Sequence, residues 1–111
     1  MDTRFSPKLR KLEARVLDGP GVLSPALRRN VFEGRPLGDP VADRYVETVR
    51  RHAYKVVDGT IAELRAAGWS EDQIFELSVT AAFGAASQRL EAGLHALEAA
   101  TRSSAATGRV D

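Results

Sequence analysis

The chain has 111 residues, of which 43% are hydrophobic and 28% charged, and its formal net charge is +1. This length is that of one domain, and the composition is too apolar for a disordered segment. With no cysteine, a disulfide scaffold, a zinc ribbon and a Cys-x-x-Cys redox centre are excluded.

The charge is unevenly spread. Residues 1–55 hold twelve Lys/Arg against seven Asp/Glu, whereas residues 56–111 hold four against eight. Such asymmetry suits an anionic partner, or docking of one half on the other half of a neighbouring copy; its plainest reading is solvated helix faces. The start of the chain lacks the apolar core of a signal peptide, and the most apolar run, Val79 to Ala86, is too short to span a bilayer. A cytoplasmic, bacterial-type protein without a membrane segment is expected.

Five helices are predicted. In the first, about Ser6 to Leu17, Ser6 caps and Pro7 takes the first helical position, where its missing N–H leaves no bond unmade. Leu9, Leu12 and Val16 form its apolar stripe, and Asp18-Gly19-Pro20-Gly21 ends it. The second repeats the device with Ser24 and Pro25, faces Leu27 and Val31 inward, and breaks at Gly34-Arg35-Pro36. The third is capped by Asp39, with Pro40 in its first turn, and runs to about Tyr54. Its stripe is Val41, Tyr45, Val49 and Ala53, widened by Ala42 and Val46.

Around Val56 to Gly59 two β-branched residues and a glycine predict a turn or kink. The fourth helix, about Asp58 to Ala67, presents Ile61 and Leu64, and Gly68 supplies a left-handed stop. At Ser70-Glu71-Asp72-Gln73 a capping box opens the fifth helix, with acidic residues at the positive end of its dipole. Trp69 precedes the cap as a staple for Ile74 or Phe75. The helical pattern continues to about Ala100, and residues 101–111 read as a flexible polar tail after a single domain over 1–100.

From Ile74 to Ala86 the fifth helix is apolar nearly all round, which is the mark of a helix buried on every side. Five helices of this size cannot surround one of their number. A homo-oligomer is therefore expected, with Phe75, Val79 and Phe83 in the interface. After Gln88 the face narrows to Leu90, Leu94 and Leu97. The fold class is an all-α bundle of about five helices.

Residues 45–97 resemble the helical core of the alkylhydroperoxidase D / carboxymuconolactone decarboxylase superfamily. The likeness is best from Ala62 to Ile74: a helix, a glycine, one residue, a Ser cap, acidic residues and an apolar restart. The redox members carry Cys-x-x-Cys, three residues and then His on the preceding helix. Those places correspond here to Ala53, Val56 and Thr60, so the resemblance implies a member without the thiol centre. It also implies two openings: a non-redox accessory or structural protein that assembles with itself or a catalytic relative, or a cofactor-independent lyase or isomerase.

The lyase reading needs a proton carrier beside an anion-binding cation. His52, Glu47 and Tyr54 are its candidate catalytic residues, and Arg50 and Arg51 would hold a small acidic metabolite. The plainer reading of Glu47 and Arg51, four apart, is a surface ion pair beside an exposed histidine. His52 and His95 are too few for a transition-metal site, and Glu91, His95 and Glu98 read as helix decoration. No metal and no cofactor are expected. The basic residues Lys8, Arg10, Lys11, Arg15, Arg28 and Arg29 fall short of a nucleic-acid surface, because the whole chain carries so small an excess.

Overall fold

In a computed structural model, residues 7–56 and 58–107 are described, although not the side chains of Tyr54 and residues 104–107. Helices α1 (Pro7–Asp18), α2 (Pro25–Glu33), α3 (Pro40–His52), α4 (Asp58–Ala66) and α5 (Glu71–Thr107) follow one another, with a 3-10 turn at Ala53–Lys55. The fold is all-α, and no strand occurs among the described residues.

Local chemistry sets the boundaries. Ser24 Oγ accepts from the Leu27 N–H at 3.2 Å, and Asp39 Oδ1 accepts from Val41 and Ala42. The capping box is reciprocal: Gln73 N–H donates to Ser70 Oγ at 3.1 Å, and Ser70 N–H donates to Gln73 Oε1 at 2.8 Å. Gly34 and Gly68 close α2 and α4 with φ of 78° and 102°, backbone that a side chain would strain. The cap expected at Ser6 lies outside the described residues.

The core gathers Leu23, Val31, Ala42, Tyr45, Val46, Leu64, Ile74, Leu77 and Ala81, so every α-helix except α1 contributes a buried residue to it. Trp69 packs against this cluster from outside, and its Nε1–H donates to Asp39 Oδ2 at 2.9 Å. The staple thus ties the start of α5 to the start of α3. Phe75, its other expected contact, is exposed.

Helix α3 ends at His52, leaving Ala53 of its expected stripe exposed in the 3-10 turn, and two further helices differ from expectation. In α1 the buried residue is Leu17, while Leu12 is 46% exposed and Leu9 and Val16 are half-buried. The helix meets the body along its C-terminal end, so its stripe is only partly used. Helix α5 does not stop near Ala100 but continues to Thr107. The small polar residues there lack a glycine or proline stop and keep the helical path.

Helix α5 also shapes the molecule. Its 37 residues extend about 55 Å, and the chain measures 64 × 28 × 21 Å. The radius of gyration is 17.7 Å, against about 13 Å for a compact chain of this length. Ser87 is the last buried residue of α5 among those described; Gln88, Arg89 and Ala92 still line a cleft with α3, and beyond them the helix projects past the body. No helix among the described residues is long and apolar enough to cross a membrane.

Candidate functional site

Four contacts seat the first half of α5. At Gly84 a β-carbon would stand 2.8 Å from both the carbonyl carbon of Phe32 and Nη1 of Arg50, so α2 and α5 cross backbone against backbone. The rings of Phe32 and Phe83 stack at a tilt, 5.8 Å between centroids. The hydroxyls of Tyr45 and Ser78 share a hydrogen bond of 2.5 Å, and Ser78 also donates to the Ile74 carbonyl one turn back. The Glu76 carboxylate accepts from the N–H groups of Val22 and Leu23 at 2.6 and 3.0 Å, tethering the loop before α2.

Between the end of α2, α3 and α5 an open cleft of about 420 Å³ holds most of the candidate polar residues: Glu47, Arg50 and Arg51, with Gln88 and Arg89 from α5. Their geometry is that of a strut. Arg50 Nη1 donates to the carbonyls of Val31 and Phe32 at 3.2 and 2.8 Å, and its Nη2 donates to Gln88 Oε1 at 2.5 Å. The Phe32 carbonyl at the end of α2, and that of Val31, which also accepts from the Gly34 N–H, thereby gain a charged donor. Burial lowers the pKa of Arg50, Glu47 opposes that shift, and an arginine stays charged all the same. Arg89 Nη2 reaches back to the Arg50 carbonyl at 2.5 Å, and Arg51 pairs with Glu47.

The candidate catalytic set is therefore only partly assembled. Glu47, Arg50 and Arg51 come together, but His52 is exposed and does not line the cleft. Tyr54 lies in the 3-10 turn beyond the end of α3. Ala53, Val56 and Thr60 fall on that turn, on the extended link and in α4, not along one helix. Among the described residues no group of three or more His, Asp or Glu could hold a metal ion.

The second surface lies on α5, opposite the core. Phe75, Val79, Ala82, Ala86, Leu90, Gly93 and Leu97 are all exposed. At 3.6 residues per turn they fall within a sector about 80° wide, diametrically away from buried Leu77, Ala81 and Gly84. Phe75 is 69%, Val79 40%, Leu90 44% and Leu97 62% exposed. Phe83 does not belong to this stripe. It stands at the edge of the sector, half-buried on Phe32, unlike Phe75 and Val79. Ala82 and Ala86 belong to the apolar run expected from the sequence but, like Gly93, are not among the expected interface residues, because small residues carry little hydrophobic signal.

The chain matches no protein-family model, no curated protein and no solved structure.

Proposed function

We propose that this is a non-redox accessory or structural protein that acts by associating with itself, or with a catalytic relative, through α5. The observation that carries the reading is the apolar stripe running from the body onto the projecting half of the helix. A stripe from Phe75 to Leu97 is about 33 Å long, and a helix in water gains most of its stability from packing such a face. A continuous apolar stripe of that extent on a soluble protein often marks a binding surface. The kinship with alkylhydroperoxidase D-like proteins is proposed on residues 45–97 alone; association with a catalytic relative depends on it, and self-association does not.

The lyase reading has less behind it. Its two cations are engaged, Arg50 with backbone carbonyls and Arg51 with Glu47, and His52 stands outside the cleft. Light scattering at micromolar concentration tests the proposal. The wild-type chain should run above its 12.0 kDa monomer mass, and Val79→Glu should lower that mass while keeping the helical signal. A wild-type monomer overturns it.

A further inference from the structure

Resting on the self-association proposed above, we infer that the partner is a second copy, paired antiparallel along α5 with a two-fold axis through Ala86. The spacing of the stripe reads the same in both directions from Ala86: four, three and four residues back to Phe75, and four, three and four onward to Leu97. An antiparallel copy centred there sets Ala86 against Ala86, Ala82 against Leu90, Val79 against Gly93 and Phe75 against Leu97. A two-fold interface of this kind uses the same patch twice.

Residue sizes agree with that centre. Crossing helices come closest at one point and separate on either side. Two alanines meet at the crossing, a small residue faces a larger one at each of the next two steps, and the largest side chains meet at the ends. A parallel pair would set Gly93 against Gly93 between two pairs of leucines and leave a void. Gly93 has no reason within the chain: a β-carbon there would meet nothing within 4 Å. An exposed mid-helix glycine costs about 1 kcal/mol relative to alanine, and the antiparallel copy supplies a neighbour, Val79, that uses the space.

The body offers a seat for the other copy's projecting half. Beside Phe75 and Val79, a groove of about 240 Å³ is lined by Arg15, Val16 and Pro20, and the antiparallel arrangement brings Leu97 to its mouth. Charge is complementary as well. Helix α1 carries Lys8, Arg10, Lys11 and Arg15 against Glu13 and Asp18, an excess of two positive charges, while residues 90–103 carry Glu91 and Glu98 against Arg102. A stripe about 33 Å by 10 Å covers roughly 330 Å² of each copy, short of the roughly 800 Å² per partner of a stable pair. Laying each projecting half against the Arg15, Val16 and Pro20 end of the other copy's α1 extends that area; a parallel pair leaves those halves away from the bodies.

Because the chain has no cysteine, single cysteines report the geometry without background. Under mild oxidation Ala86→Cys should link to itself, while Phe75→Cys and Leu97→Cys should link to each other when mixed. Each of the last two alone should link to itself at least about tenfold more slowly, since a disulfide needs Cα atoms within roughly 7 Å. All three positions are exposed, so the fold tolerates the changes. Self-linking of Phe75→Cys and of Leu97→Cys in an oligomer overturns the antiparallel pairing and leaves self-association standing. An oligomer with no link at any of the three positions does the same. A monomeric wild-type chain overturns both.

Discussion

Gly84 and Phe32 meet backbone to backbone, and the Arg50 guanidinium closes over the same point. A methyl group at residue 84 would have to displace a helix, not a side chain. Gly84→Ala should therefore destabilise the protein by about 3 kcal/mol, the upper end for an overpacked core, although alanine favours helix. A thermal melt should show a fall of about 10 °C. An unchanged or raised melting temperature would contradict the crossing.

Arg50 predicts a stability role where an anion site was considered. Arg50→Met removes a charged donor from the Val31 and Phe32 carbonyls and from Gln88, and should cost roughly 2–3 kcal/mol. Chemical denaturation measures it. Exposed His52→Gln, by contrast, should change stability by no more than about 0.5 kcal/mol.

Those two outcomes bear on what could be read from the residues alone. Helix starts were legible because Ser24, Asp39 and Ser70 act on N–H groups two or three residues away, and Gly68 stops α4 for an equally local reason. The surplus of apolar residues on α5 was legible too, from periodicity. Arg50 was not, since its acceptors lie 18 and 19 residues back in the chain. Glu76 serves N–H groups 53 and 54 residues away, and no spacing announces that. Phe75 and Phe83 lie on different azimuths of one helix, but the spacing does not say which of them is covered. Only the position of Phe32 separates the exposed one from the half-buried one.

Phe83→Glu and Val79→Glu should consequently behave differently. The first puts a carboxylate against Phe32 and should lower stability by roughly 3 kcal/mol. The second alters an exposed position and should leave the unfolding of the isolated chain within about 0.5 kcal/mol. Melts at dilutions where the wild type is monomeric compare the two. Equal losses would contradict the division of α5 into a seated edge and an outward stripe.

Acid should weaken the tie between α3 and α5. The Trp69 indole, and then the N–H groups of Ala42 and Val41, hold the Asp39 carboxyl below its ordinary pKa. A depressed pKa means that this contribution is complete above the unfolded value and is lost as pH falls through the folded one. The window therefore lies below about pH 4. Asp39→Ala should melt lower than wild type at pH 7, with the gap narrowing steadily on acidification below that point. A gap that stays constant to roughly pH 2 would assign the effect to packing.

The Glu76 tether has a consequence for how the chain is made. The N–H groups of Val22 and Leu23 donate to the Glu76 carboxylate of α5, and α2 crosses α5 at Gly84. A nascent chain emerging from the ribosome thus carries its first two helices without their principal support until residues 71–88 are out. Bringing together segments some fifty positions apart is slow compared with forming a helix. During that interval Leu23 and Val31, buried in the finished protein, are open to water and to other chains. Synthesis of the first half alone should yield an aggregation-prone product, and production of the protein should depend on the speed with which its last helix is delivered.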